Sequence, residues 1–376
     1  MNPIQFIDLQ QEFLLNTYSD LHTLAEPSWK EEKTSQYIEE RLKKAGLSVK
    51  KFPNHFGIIA EIPGESNQVI ALRADLDAIV QEVDGIVQPN HSCGHDGHST
   101  MVLYTALAIV ESGIKPKKTL RFIFQPAEEK GEGARQMMKE GALEKVSYLF
   151  GIHLRPRFEV PYLKASPVIN HGSVGNIKGS IKGLQAHAAR PQDGINAIEV
   201  ASLLVQEIQQ IQLKTDVAYS IKMTQLQIQN QASNVIPETA DFTLDVRAQS
   251  NEVMGEIRHQ INEIIEKIMQ QTRASIIWSL EDLVPAAIKN ETAISVAKKA
   301  IVEILGQENC ISECTSQGAE DFHYYTQQNP GIAATMIGLG SDLSPGLHHP
   351  KMNFNLDALI YGTKILTKTI LHACEQ

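Results

Sequence analysis

The feature that most constrains the fold of this chain is a rhythm: short, almost wholly apolar runs alternate with helical stretches. HFGIIAEI, QVIALRADL, TLRFIFQ and SYLFGIHL read as buried strands, because apolar runs of this length lack the alternation of a half-exposed strand. TMVLYTALAIVESG and ARQMMKEGAL read as the intervening helices. Ahead of them, LHTLAEPSWKEEKTSQYIEERLKKAGLSVK reads as turn, amphipathic helix and strand entry. Tyr37, Ile38, Leu42 and Ala45 recur near helical spacing there, and Gly46 stops the pattern. Such an order predicts an α/β layer fold around a mixed, largely buried sheet.

Near residue 176 the rhythm changes. NIKGSIKG alternates as a strand, NAIEVASLLVQEIQQI is helical, VAYSIKMTQLQIQ and ADFTLDVRAQ are strands, EVMGEIRHQINEIIEKIMQQ is helical and ASIIWSL is a strand. The order β-α-β-β-α-β is that of a ferredoxin-like unit. After Pro285, ETAISVAKKAIVEILG, ATMIGLG and LDALIYGTKILTKTILHACE resume helix and strand alternation. The expected organisation is one domain from residues 1–175 and 286–376, with residues 176–285 inserted. At 376 residues, two domains suit a chain longer than one hydrophobic core usually supports.

Charge and cysteine usage narrow the partners. A formal net charge of -10 and a pI near 5.7 predict neither a nucleic-acid nor an acidic-membrane partner. No stretch reaches the roughly 20 apolar residues of a bilayer span. Asp8 and Glu12 interrupt the run a secretory signal would need. Cys93, Cys310, Cys314 and Cys374 are too sparse for a disulfide framework, and a reducing cytoplasm is the simplest expectation. Cys310 and Cys314, at i and i+4, lack a second pair and read as small residues of a surface segment.

Chemistry concentrates in four places. HSCGHDGHST packs three histidines, a cysteine and an aspartate into ten positions; the Cys93 thiolate and the His95 imidazole suit a borderline-soft divalent ion. Taken alone it reads equally as a polar loop. In RFIFQPAEE, an apolar strand runs into Pro126 and then presents Glu128 and Glu129. Adjacent carboxylates let one bind metal while the other moves a proton, although an isolated pair usually marks a solvated face. LFGIHLRP places His153 just past a further strand, and GLHHP places His348 and His349 in a proline-flanked loop. Ligands of open α/β sheets gather at strand ends, so these elements together supply donors enough for two ions. Asp75 and Asp77 of LRADLDA share one side of a strand end and can orient ligands from behind; Asp96 is a further candidate, and His98 a supporting one. Glu320 and Asp321 of GAEDF read as capping or as the border of the site.

The chain resembles a known family. LHTLAEPSWKEEKT, LRADLDA, HSCGHDGH, QPAEE, GIHL, AHAARP, NVIP, LDVR, GAEDF and LHHP stand in the order found in the aminoacylase, hippurate hydrolase and auxin-conjugate amidohydrolase family of dinuclear metallopeptidases, across nearly the whole chain. The resemblance implies a catalytic metal-binding domain with two divalent ions, and an inserted lid or dimerisation domain. It implies Cys93, His95, Glu129, His153 and His348 as metal ligands and Glu128 as general base. His187 of AHAARP would stabilise an oxyanion, from its own or a partner subunit. On the inserted domain, Asn234 of NVIP and Arg247 of LDVR are candidates for holding a substrate carboxylate; Arg247 in a strand reads equally as a surface ion pair.

The implied reaction is hydrolysis of N-acetyl, N-benzoyl or indoleacetyl amino acids, a cytoplasmic activity on small molecules. Mn²⁺ or Zn²⁺ leads the expected metals, and Co²⁺ and Ni²⁺ suit the same mixed donors. A homodimer through an edge strand of the inserted domain is a further expectation. A dipeptidase using the same site, or a metal-loaded binding protein without turnover, are the competing readings. After AHAARP the sequence continues QDGINAI, where relatives carry a histidine and an acid-proline pair, and Arg190 stands where they have an apolar residue. Substrate preference is therefore not transferable from any one relative.

Overall fold

The structure is a computed structural model describing residues 1–228, 230 and 232–376. The chain divides into two compact units. One comprises residues 1–170, 288–316 and 321–376; the other comprises residues 171–287 and 317–320.

The first unit is built on a seven-stranded mixed sheet. Its strand order is Ser48–Lys51, Ile58–Ile62, Lys118–Gln125, Ser66–Asp75, Val146–Pro156, Ala333–Leu343, Ala165–Ser166. The four strands from Lys118–Gln125 to Ala333–Leu343 are mutually parallel, and the outer strands pair antiparallel. Parallel strands covered by helices need apolar side chains on both faces, which explains the unbroken apolar runs. Ile70, Leu72, Phe122, Phe150 and Ile337 of these strands join Leu14, Ile38, Val102, Val296 and Ile365 from five helices in one buried cluster. Because the central strands are parallel, their carboxyl ends share one edge. Asp75 is paired with Gln125 there, and Pro156 with Leu343.

Two differences from the sequence reading bear on the site. The helix expected from Thr100 begins at His95 and runs to Ser112, so the HSCGHDGH stretch is half loop and half first helical turn. Gly94, at φ 89°, makes the turn into it; a Cβ there would also lie 2.9 Å from Leu154 Cδ1. His153 lies within its strand rather than past it, because pairing with Ala333–Leu343 continues to Pro156. The hairpin Ile79–Val83 and Ile86–Asn90 turns on Asp84 and Gly85, both at positive φ. That Asp-Gly signal is legible in the sequence but lies outside the strand-helix rhythm. The helices Pro3–Leu9 and Gln11–Thr23 also precede the first expected element.

The second unit carries a four-stranded antiparallel sheet in the order Tyr219–Ile228, Thr239–Ala248, Ser173–Lys182, Ser275–Val284. Along Thr239–Ala248, Ala240, Phe242, Leu244, Val246 and Ala248 are buried in strict alternation. Helices Ala197–Gln209 and Asn251–Thr272 complete its core. The latter buries Val253, Ile257, Ile261, Ile265 and Ile268, one stripe at helical spacing. Among the described residues, no helix is long and apolar enough to cross a membrane.

Candidate metal centre

The parallel strands bring the sequence candidates of the first unit together at one sheet edge. Cys93, His95 and His153 place ligating atoms within 4.8 Å of one another; so do Cys93, Glu129 and His348, and so do His95, Glu128 and Glu129. Cys93 belongs to two of these triads. Cys93 Sγ lies 3.7 Å from His153 Nε2. His95 Nε2 is 3.7 Å from Glu129 Oε1 and 3.8 Å from Glu128 Oε2, and His348 Nε2 is 3.7 Å from Glu129 Oε2. The nitrogen–oxygen gaps of 3.7–3.8 Å are too long for hydrogen bonds and wide enough for a cation between them, while the sulfur–nitrogen gap is a long thiol hydrogen bond that a cation would replace.

The far sides of the rings decide which nitrogens are available. His95 Nδ1 donates to the Asp77 carbonyl at 2.9 Å, and His153 Nδ1 to the Leu154 carbonyl at 2.7 Å. Each ring therefore turns its Nε2 toward the cluster, the orientation that outer partners impose on metal-ligating histidines. His98 differs: Nδ1 donates to Asp75 Oδ1 at 2.8 Å while Nε2 accepts the Leu154 N–H at 3.0 Å. Both of its nitrogens are spent on protein partners.

Buried His95 Nε2 and Glu129 Oε1 have no hydrogen-bond partner. A buried acceptor without a donor costs about 1–3 kcal/mol, and a divalent cation is the partner that satisfies several at once. The donor set of sulfur, imidazole and carboxylate fits Zn²⁺ or another first-row ion, with Cys93 positioned to serve two.

The acids are held by their backbone. Ala127, at φ 53°, turns the chain sharply after the strand Lys118–Gln125. Asp77 Oδ1 then accepts the Glu128 N–H and Oδ2 the Glu129 N–H, each at 3.1 Å. Asp77 also takes the Ser28 hydroxyl at 2.7 Å. His348, at φ 63°, is anchored through its own N–H, which donates to the Ser92 carbonyl at 2.8 Å. Ser92 Oγ in turn accepts from Gln81 Nε2 at 2.8 Å. Asp96 faces elsewhere: its carboxylate takes His22 Nδ1 at 2.6 Å and the Gly97 N–H at 2.8 Å.

Beneath the site lies a group the sequence candidates omit. Arg73, fully buried, donates to Asp75 Oδ2 at 2.7 Å, Asp321 Oδ1 at 2.7 Å and Gln125 Oε1 at 2.9 Å. Asp321 also accepts from Gln125 Nε2 and from the Ala134 N–H at 2.9 Å. The available signal was an arginine inside an otherwise apolar buried run, LRADL. Arg73→Met leaves two buried carboxylates without their cation and is expected to lower unfolding free energy by about 3–5 kcal/mol. Urea unfolding checks this; a loss well under 1 kcal/mol would show that the network carries no net stability.

Protonation follows from this packing. Burial pushes the Asp75 carboxyl up, but His95, His98 and Arg73 more than offset it and hold it well below the usual carboxylate range. Burial and the neighbouring Glu129 push the Cys93 thiol well up. Burial also raises Glu129, with His95 opposing and Asp77 adding. Burial lowers His153 and His348, which keeps both rings neutral and able to ligate. Burial pushes His95 down, but Asp75 and Cys93 more than offset it and hold that ring well above the usual histidine range, so an incoming ion must displace protons of Cys93, His95 and Glu129 and its affinity rises with pH. Competition with a chelator at pH 6, 7 and 8 is expected to show about tenfold per pH unit for each proton released. A flat profile would mean that the ligands carry no such protons.

The remaining candidates belong to the second unit. His187 pairs with Val235 in a two-stranded ladder, and the Ala188 N–H donates to the Asn234 carbonyl at 2.9 Å, so His187 and Asn234 are neighbours and both are exposed. Arg247 grips Asp245 through two bonds of 2.8 and 3.1 Å, which occupies the fork proposed for a substrate carboxylate. Glu320 also falls in this unit.

The sequence profile of peptidase family M20/M25/M40 matches residues 71–372. N-acetyl-L-cysteine deacetylase of Bacillus subtilis is 30% identical over 97% of this chain and 89% of its own length. IAA-amino acid hydrolase ILR1-like 2 of Arabidopsis thaliana is 30% identical over 94% of this chain and 83% of its own. Among solved structures, the YXEP protein of Bacillus subtilis, a dinuclear metal-binding peptidase of the M20 family, superposes with a TM-score of 0.83 at 26% identity. It covers 98% of this chain and 99% of that one.

Proposed function

We propose that this chain, which belongs to peptidase family M20/M25/M40, is a metal-dependent amidohydrolase that frees amino acids from their N-acyl derivatives. One observation carries the reading: Cys93 is shared between two ligand triads that converge beside Glu128 at the carboxyl edge of a parallel sheet. The ligands assigned are Cys93, His95, Glu129, His153 and His348. Bound there, two divalent ions supply an acidified, aimed water and a polarised amide carbonyl. Mn²⁺ and Zn²⁺ are the ions of choice for such a donor set.

Glu128 is the general base. It is buried, with Oε1 3.4 Å from the Asp321 N–H, and the Asp77 carboxylate fixes its backbone. Held this way it takes a proton from the attacking water and returns it to the amine nitrogen as the amide C–N bond breaks. Glu129, one residue on, faces His95 and His348 instead, so two adjacent acids have separate work.

The second unit is assigned as the inserted ferredoxin-like domain, and its strand order, with the first strand in sequence between the third and the fourth, supports that reading. His187 Nδ1 accepts the Ala189 N–H at 3.0 Å, which puts the ring proton on Nε2 as a donor for the developing oxyanion. Asn234 is assigned to the substrate's polar end; Arg247, already bound to Asp245, is assigned there only with exchange of that partner. Pairing of the edge strand Tyr219–Ile228 with its symmetry mate would give a homodimer, and a single monomer species in sedimentation at all concentrations would exclude it.

The names of the similar proteins suggest N-acetylcysteine and IAA-amino acids for the panel, with N-benzoyl amino acids and free dipeptides added alongside. Amine release from the acylated compounds is the expected result. Release from dipeptides alone would replace this reading with that of a dipeptidase.

A further inference from the structure

A buried acid outside the ligand set is bound to the turn that presents Glu128 and Glu129. Glu31 is fully buried, and its Oε1 accepts two backbone amides, Trp29 at 2.8 Å and Ala127 at 2.9 Å. Those two residues have φ of 68° and 53°, so both hold left-handed backbone without being glycine. The cost of that conformation to a residue with a Cβ must be met by its surroundings. One carboxylate oxygen does this for both.

The arrangement forms a ladder of carboxyl groups beneath the turn. Glu31 takes the amide of Ala127, and Asp77 takes the next two, Glu128 and Glu129. Trp29 adds a second tie, its Nε1 donating to Glu132 Oε2 at 2.7 Å, just past the acids. Glu31 Oε2 has no hydrogen-bond partner. An apolar side chain would fill this space without burying a carboxyl group, whose pKa burial pushes up to about 7, but it would leave two amides unpaired and the Ala127 turn unsupported.

We propose that Glu31 is a positioning residue: by clamping the Ala127 amide it fixes the left-handed turn that aims Glu129 at the metals and Glu128 at the substrate. The proposal deepens the hydrolase reading and rests on it. Glu31 neither ligates nor transfers a proton; it acts through one backbone bond. The side chain at position 127 therefore decides how much the clamp matters, because glycine adopts positive φ without help.

The test compares E31A, E31Q and E31A/A127G as full-length, chelator-stripped proteins. Co²⁺ affinity is read from visible absorbance, and kcat and KM are measured for whichever acyl amino acid the wild type cleaves. E31A is expected to weaken Co²⁺ binding by about 10–100-fold, as loss of an outer partner does, and to lower kcat far more than it changes KM. E31Q keeps an acceptor oxygen and is expected to stay within about threefold of wild type. Adding A127G to E31A is expected to recover at least about tenfold of the lost affinity.

Wild-type Co²⁺ binding in folded E31A, or no recovery in the double variant, would overturn the proposal. If E31A does not fold, E31D, whose shorter arm withdraws the clamp but keeps the charge, carries the same comparison with A127G. A wild type that binds Co²⁺ yet cleaves nothing would overturn the hydrolase reading alone, since the clamp is still read from Co²⁺ affinity.

Discussion

Glu128→Gln is expected to keep both metals and to lose about 10²–10⁴-fold in kcat, the range of a positioned general base. The substitution preserves volume, and the backbone amide that Asp77 holds is untouched. Glu128 is assigned to no ligand triad that includes Cys93, so the donors shared by the two ions survive. The amide side chain cannot accept a proton at neutral pH, and only the transfer steps fail. KM should therefore change little while kcat falls. Single-turnover kinetics on metal-loaded protein checks this. Near-normal turnover would remove Glu128 from its role, and loss of metal would make it a ligand.

Cys93→Ser carries the opposite expectation: metal goes first, and activity with it. Cys93 contributes to both the His95–His153 group and the Glu129–His348 group, so its loss weakens two sites at once. A serine hydroxyl is a poorer donor than a thiolate for a borderline-soft ion. Affinity should fall by more than about 100-fold, beyond the 10–100-fold that outer partners cost. Metal analysis after dialysis against a dilute chelator reads this directly. Retention of two equivalents would mean that the cysteine only packs. His153→Ala, which removes one group's donor alone, should spare the second ion and so separates the two sites.

What the sequence revealed and what it hid divide along the chain's own geometry. The ligand candidates were legible because each sits in a local signal: a cysteine and histidine two residues apart, adjacent acids after a proline, a histidine in an apolar run. Gly94 and the strand ends then make these signals meet. Asp75, Asp77 and His98 stand out in the sequence as candidate supports, but Arg73 and Glu31 do not, because their partners come from distant segments. Arg73 and Asp321 are 248 residues apart and share an ion pair, and Glu31 reaches Ala127 across 96 positions. Neither contact leaves a periodicity or a spacing.

The same contrast appears in the fold. The alternation of buried residues on Thr239–Ala248 and the stripe on Asn251–Thr272 follow their sequence patterns closely. The start of the helix at His95 does not, since five polar or small residues, His95 to Ser99, precede its apolar stretch and are buried by the site rather than by the core. His98, read as a support from the sequence, is hydrogen-bonded on both of its nitrogens. It stands three residues from His95 with the same chemistry, and its two hydrogen bonds, to Asp75 and to the Leu154 N–H, agree with the supporting role.

The most direct test is a titration of chelator-stripped protein with Mn²⁺ or Zn²⁺, following bound metal and amine release from N-acetylcysteine together. The expected result is two equivalents bound per chain, with release absent before metal is added, restored as the sites fill and abolished again by chelator. Release that persists in the stripped protein, or a chain that takes up no metal, would contradict the assignment of Cys93, His95, Glu129, His153 and His348 as a two-metal hydrolytic centre.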